Sequence, residues 1–439
     1  MTSDCPLLPV IGGDLRVPLV TGGDARYVNL DYAASTPALE SVATHLNEVL
    51  PLYASVHRGA GYASQVSTAA YEHARRLVGA FLGARTDDAV IFTRNTTDSL
   101  KLLASAVPGE TVLLDIEHHA NLLPWMEHAA RVVPAAGTLE ESLRLVDSEL
   151  AARPASLVTV TGASNVTGET LPLRRLATIA HRHGARLAVD GAQLVPHRRV
   201  DLAFDGVDYL AFSGHKTYAP FGAGVLVGRR DWLDVAPPYL RGGGAVTTVT
   251  LDGADWRTGP ARHEAGSPNV LGVVALARAI RALDELDPGA WHDHESALRE
   301  RLVSGLEQLP GVRVHRLFSD SVDPVGVVSF TVEGADSRLV ASYLSAEWGI
   351  GLRDGKFCAH PLLSRLGIAQ PALRASFGLG SSDADVEALI AALAAFLGEG
   401  PAWRYEQIDG QWNVVDDPRP RPEWAPEPEP GSSSFGCAA

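Results

Sequence analysis

From about Asp31 to Arg281, short apolar runs alternate with amphipathic helical stretches, and this alternation constrains the fold more than any other feature of the chain. Val90-Ile91-Phe92, Val112-Leu113-Leu114, Leu157 to Val160, Leu187-Ala188-Val189, Tyr209 to Phe212 and Val225-Leu226-Val227 are uniformly apolar. Runs of that kind predict strands buried on both faces. The stretches between them, such as Leu173 to His183 closed by Gly184, predict helices. Such alternation builds an α/β fold, a doubly wound and mostly parallel sheet with helices on both faces. Ligands in such sheets sit at the carboxyl ends of the strands, so residues just past each run are placed to do chemistry.

A chain of 439 residues, 46% hydrophobic, exceeds one simple domain. Helical patterns at 275–286 and 295–309 lead to a second region, with a strand at Val327 to Val332 and an apolar-faced helix at 383–396. This predicts a smaller α+β domain. The expected organisation is an N-terminal arm (1–26), a large domain (27–284), a small domain (285–400) and an extended tail (401–439). The Pro-rich sequence after Asp416 cannot bury a core. A formal net charge of −15 argues against nucleic acid or anionic membrane as a partner. No apolar run approaches the roughly 20 residues of a membrane span, and Met1 to Val10 lacks a signal-peptide pattern. Cys5, Cys358 and Cys437 are too few for a disulfide framework. The expected compartment is the reducing cytoplasm.

Lys101, Lys216 and Lys356 are the only lysines. Lys216 lies in Ser213-Gly214-His215-Lys216, directly after an apolar run and before a Gly-rich turn. An aldehyde cofactor needs such an amine, made neutral by partial burial; a solvated surface lysine is the alternative. Asp190 ends another run, where a buried carboxylate needs a cationic partner. A pyridinium nitrogen is one, and a helix N-cap is the alternative role. Phe92 to Ser99, including Thr96 and Thr97, is a strand-to-helix junction rich in hydroxyls, of the kind that binds phosphate, although plain capping uses the same residues. His118 could stack on a planar ring or relay protons. Cys358 lies in Arg353 to Pro361, a segment bounded by Gly and Pro that reads as a loop. Its basic neighbours favour a thiolate; an inert small hydrophobe is the other reading.

Together these motifs resemble the class V, fold-type I pyridoxal-phosphate (PLP) enzymes, most closely the SUF-type cysteine desulfurase and selenocysteine lyase branch. The resemblance covers 27–397. It rests on Leu30 to Pro37, Val56 to Gly59, Glu117 to Asn121, Ser164-Asn165-Val166, Val189 to Gln193, Ser213 to Lys216, Gly242-Gly243-Gly244, Glu264 to Asn269 and Arg374-Ala375-Ser376. It implies a seven-stranded-type sheet domain, pyridoxal 5'-phosphate as cofactor, and a homodimer with shared active sites. In the implied roles Lys216 carries the cofactor and shuttles protons. Asp190 pairs with the ring nitrogen, His118 stacks on the ring and Gln193 lies by the ring oxygen. Thr96, Thr97, Ser213 and His215 hold the phosphate, with Ser267 reaching in from the neighbouring subunit. Asn165, Arg374 and Arg353 hold the substrate. Cys358 takes sulfur from L-cysteine or a relative as a persulfide, alanine leaves, and a protein sulfur acceptor follows. No metal is implied.

The chain departs from this pattern. Lys356 and Phe357 replace the usual two histidines before the cysteine, Ser381-Ser382 replaces Asn-Thr, the stretch from Cys358 to Arg374 is slightly longer, and the Pro-rich tail is extra. These changes leave open another class V reaction (C-S or selenocysteine lyase, epimerase or aminotransferase) or a retired binding scaffold. If the tail reaches the site, Cys437 offers a second sulfur acceptor.

Overall fold

A computed structural model describes residues 5–425; Cys437 lies outside the described residues. The strands are β1 (Asp88–Thr93), β2 (Thr111–Leu114), β3 (Ala130–Val133), β4 (Leu157–Thr161), β5 (Arg186–Asp190), β6 (Tyr209–Ser213) and β7 (Gly224–Arg229). They form one sheet in the order β1-β7-β6-β5-β4-β2-β3. Only β7 runs against its neighbours; the other pairings are parallel. Alternate residues enter two separate apolar cores. Phe92, Val112, Val160, Leu187, Val189 and Phe212 face one. Ile91, Leu113, Ala188, Tyr209, Ala211 and Leu226 face the other. Burial on both faces explains why these strands read as continuous apolar runs. β3 is an edge strand broken by Arg131 and half exposed at Val132, so it has no such signature.

The helices α1 (Val270–Asp284) and α2 (Pro288–Glu307) lead out of this sheet. The smaller sheet contains β8 (Val312–Val314), β9 (Val327–Val332), β10 (Arg353–Gly355) and β11 (Ala372–Ser376), in the order β8-β9-β11-β10. Phe330, Leu373 and Phe377 pack with Leu298 and Leu302 of α2 and with Val386 and Leu389 of the helix Asp383–Glu399.

Two expected boundaries shift. Val28 and Leu30 belong to the small domain's core, because Val28–Asn29 pairs in parallel with Ile350–Gly351. The supposed tail from 401 begins with a hairpin, Tyr405–Ile408 with Gln411–Val414. It is held to the small domain by polar contacts: the Glu347 carboxylate accepts from the Tyr405 hydroxyl at 2.9 Å and from the Trp403 N–H at 3.0 Å, and Trp412 Nε1 donates to Asp336 at 2.9 Å. Few apolar residues are involved, so the hairpin left no hydrophobic pattern to read. Among the described residues no helix is long and apolar enough to cross a membrane.

Truncation after Val415 is expected to leave stability unchanged. Truncation after Gly400, which removes the hairpin's hydrogen bonds to Glu347 and Asp336, is expected to cost about 3 kcal/mol by denaturant unfolding.

Candidate active site

The sheet delivers five segments to one edge. β6 ends at Ser213 and runs into the turn Gly214–Lys216, and β5 ends at Asp190. The segment after β2 carries Glu117 and His118, and the loop after β4 carries Asn165. β1, parallel to β6 through their shared antiparallel neighbour β7, feeds the helix Thr96–Ala106.

Lys216 is at the centre. Burial pushes its amine down to about 8; the Arg374 charge acts in the same direction, while Asp190, Cys358 and Asp31 oppose it. A neutral fraction is therefore available for attack on an aldehyde. His118 accepts a hydrogen bond at Nδ1 from the Ala120 N–H at 3.0 Å. Burial and the charge of Lys216 hold its pKa near about 3, so the ring is neutral with its proton on Nε2. Burial also raises the Asp190 carboxyl, even though a hydrogen bond from the Ala192 N–H at 3.0 Å and nearby Lys216 lower it. A cation beside Asp190 would restore its charge. Gln193 donates through Nε2 to the Ala33 carbonyl at 2.7 Å, while its buried Oε1 has no partner.

Thr96 is joined to Ser213: its N–H donates to Ser213 Oγ at 2.7 Å and the two hydroxyls lie 2.6 Å apart. Thr97 is exposed on the first helical turn. His215 is kept neutral, at about 4, by burial and by Lys216. Hydroxyls and a helix start gathered beside Lys216 make a fitting phosphate cradle.

The small domain supplies the opposite wall. Arg374 on β11 is buried; Nη2 donates to Asp31 Oδ1 and Nη1 to the Asn165 carbonyl, both at 3.0 Å, and its sealed Nε has no acceptor. Arg353 is its register partner on β10. The expected loop 353–361 is shorter than the sequence suggested. Arg353–Gly355 is strand and His360–Arg365 is helix, because β10 pairs with β11 up to Gly355. The remaining span, 356–359, is docked on the large domain. Asn165 Nδ2 donates to the Phe357 carbonyl at 2.7 Å, and the His119 N–H donates to the Cys358 carbonyl at 2.9 Å. Phe357 and Cys358 both adopt left-handed φ, 55° and 52°, an uncommon pair that the two clamps hold in place. Asn165 thus also positions the cysteine loop, alongside the substrate-binding role expected of it.

Ser267 is not brought to this group. It is exposed on the segment after the turn Pro260–Arg262, next to Gly266, whose carbonyl accepts from Arg58 at 3.0 Å. Sequence reasoning gave no role to Asp31, Glu117 or Asn121. Asn121 Nδ2 donates to Glu117 at 2.7 Å, while Thr159 and Trp125 donate to Asn121 Oδ1. This buried network fixes the turn that carries His118. Asp31 was legible in principle, since a buried arginine such as Arg374 requires a counter-ion.

The aminotransferase class-V family model matches residues 28–389. The chain belongs to that family. A probable cysteine desulfurase from Mycobacterium leprae is 38% identical, over 77% of this chain and 83% of its own length. A cysteine desulfurase from Haloferax volcanii is 34% identical, over 90% and 95%. The apo structure of a cysteine desulfurase from Thermococcus onnurineus superposes with a TM-score of 0.78 at 33% identity, over 84% and 94%. The chain is of the cysteine desulfurase type within this PLP-dependent family. Its residues fit the cofactor: a buried carboxylate that a cation would restore, an amide oxygen with no partner, and a lysine with a lowered pKa all meet beside a hydroxyl cradle.

Asn165→Ala removes one clamp on the cysteine loop. Alkylation of Cys358 by iodoacetamide is expected to speed up several-fold, measured by peptide mapping, with the overall fold retained by circular dichroism.

Proposed function

We propose that this protein removes sulfur from L-cysteine, takes it onto Cys358 as a persulfide and releases L-alanine, using PLP bound at Lys216. The observation that carries the reading is the docked Cys358 loop, which places a thiol within electrostatic reach of Lys216 and Arg374. PLP, when bound, supplies a conjugated electron sink next to the substrate's α-carbon. The protein's own groups do the rest. Asp190 provides the negative charge that keeps a ring nitrogen protonated, and His118 offers a neutral face and an Nε2–H. Thr96, Thr97, Ser213 and His215 hold a phosphate. Arg374, with Arg353 beside it, binds the substrate carboxylate, helped by Asn165. Lys216 moves protons at the α-carbon and at the carbon that loses sulfur. The Cys358 thiolate attacks the substrate sulfur: an S–S bond forms, the C–S bond breaks, and the carbon is protonated to give alanine. Phe357, packed against the Arg374 guanidinium at 5.1 Å, excludes water from that side.

Ser267 enters this scheme from a second copy of the chain. Phe221, which is 60% exposed, is tied to the Ser267 segment by Asn269, and a partner subunit would cover it. A reduced catalytic thiol and an acceptor protein that receives its sulfur both suit the reducing cytoplasm.

The deciding assay is incubation with L-cysteine, measuring alanine, pyruvate and sulfide. Alanine is expected, in step with sulfur transferred. Pyruvate with ammonia would instead mean β-elimination. Asp190→Asn should retain some PLP and lose turnover by orders of magnitude; near wild-type turnover would remove the electron-sink role. Burial lowers the Lys216 pKa, so its neutral form increases as pH rises through about 8. Apoprotein should therefore capture PLP faster at pH 8.5 than at pH 6.5, followed as near-visible absorbance that borohydride fixes on Lys216. A flat profile, or fixation on Lys101 or Lys356, would contradict the assignment.

A further inference from the structure

A cavity of about 630 Å³ opens at the junction of the two domains, between α2 and the segment 316–324 that follows β8. Arg299 of α2 lines it together with Arg316, Ser296, Ser319 and Ser321. Arg299 has no hydrogen bond or ion pair among the described residues, and its Nε is sealed from solvent without an acceptor. The buried Ser321 hydroxyl is likewise unsatisfied. The acids nearby are engaged elsewhere. Both Glu169 oxygens accept backbone N–H groups, from Leu317 at 3.0 Å and from Phe318 at 2.8 Å. Asp323 is taken by Arg198 at 2.7 Å, and Glu295 by His197 and Arg198. Glu300, exposed at the rim, is the third carboxylate of the lining, after Glu169 and Asp323. Among the described residues Arg299 therefore has carboxylates near it but none bonded to it, and the exposed Arg316 pairs with Glu307 at 3.1 Å. Burying a cation in this way costs stability unless an anion joins it.

We propose that this cavity is a binding site for a small oxyanion, a phosphate or carboxylate group, seated on Arg299 with Arg316 and Ser321. The guanidinium presents a planar fork of donors suited to such a group. Burial, the largest cause, and the neighbouring Arg316 push the Arg299 pKa down to about 10, while nearby Glu169 and Glu295 oppose the shift.

The site is also wired to the cysteine loop. Glu169, clamped by the 317–318 backbone, and Asn165, which holds the Phe357 carbonyl, belong to one tight turn. In that turn Ser164 N–H donates to the Glu169 carbonyl at 2.9 Å, and Gly168 N–H donates to the Ser164 carbonyl at 3.0 Å. Gly168 has a φ of +75° and stands where a Cβ would come within 2.5 Å of the Val327 carbonyl, so the turn has little room to relax. An anion that pulls on 316–321 thus acts on the element that positions Cys358.

The test uses PLP-loaded protein, so that the cofactor's own phosphate site is filled. Thermal unfolding is followed in anion-poor buffer at fixed ionic strength, with inorganic phosphate, then acetate, titrated in. A saturable rise in midpoint is expected for wild type and for Cys358→Ala, with its loss in Arg299→Gln and its weakening in Ser321→Ala. Whichever of phosphate and acetate acts at lower concentration identifies the group. Arg299→Gln is also expected to be at least as stable as wild type without anion, since it removes a partly buried charge that has no direct ion pair. A midpoint insensitive to both anions, or an equal response in wild type and Arg299→Gln, overturns the proposal. If Arg299→Gln fails to fold, an undiminished anion response in Ser321→Ala overturns it. These readouts do not require desulfurase activity.

Discussion

The structure depends on how charge is buried between the two domains. Lys216 and Asp190 come from strand ends of the large sheet, Arg374 comes from the small sheet, and Asp31 lies on the strand-like segment that crosses between them. Each would be costly to bury alone. The Arg374–Asp31 pair is hydrogen-bonded, whereas Lys216 and Asp190 are left with shifted protonation and few direct partners. The Arg374–Asp31 pair ties the small sheet to the crossing segment, within the same group of buried charges that contains Lys216 and Asp190.

The cysteine loop follows the same logic. Four residues, 356–359, span from β10 to the following helix, and the large domain holds two of their carbonyls. A loop this short, with consecutive left-handed residues, is positioned rather than free to sweep across the cleft. The aromatic ring of Phe357 lies on the Arg374 guanidinium and shields it. Imidazoles remain close by. The rings of His119 and His360 meet edge to face at 4.7 Å, and the His119 backbone holds Cys358.

Much of this was legible in the sequence. Strands buried on both faces announce themselves, as Leu187-Ala188-Val189 and Tyr209 to Phe212 do, and a lysine or aspartate at the end of such a run is conspicuous. Elements that rely on partners distant in the chain were not visible. Val28 and Leu30 serve the small domain because of a pairing made more than three hundred residues later. β3 is a half-exposed edge, and the hairpin 405–414 is fixed by carboxylates instead of apolar spacing. Within the site, the cluster around Lys216 could be assembled from motifs, whereas the Asn165 clamp on Phe357 and the Asp31 counter-ion depend on tertiary contacts. Ser267 illustrates the converse: its motif is present, but the fold of this chain does not bring it to the site.

The most direct measurement is a single turnover. PLP-loaded protein is mixed with one equivalent of L-cysteine, quenched with an alkylating reagent and mapped by mass spectrometry. The account predicts one additional sulfur atom on the peptide that contains Cys358, formed at the same rate as alanine. Alanine formed at the normal rate with no sulfur on that peptide, or with the sulfur on Cys5 or Cys437, would contradict it.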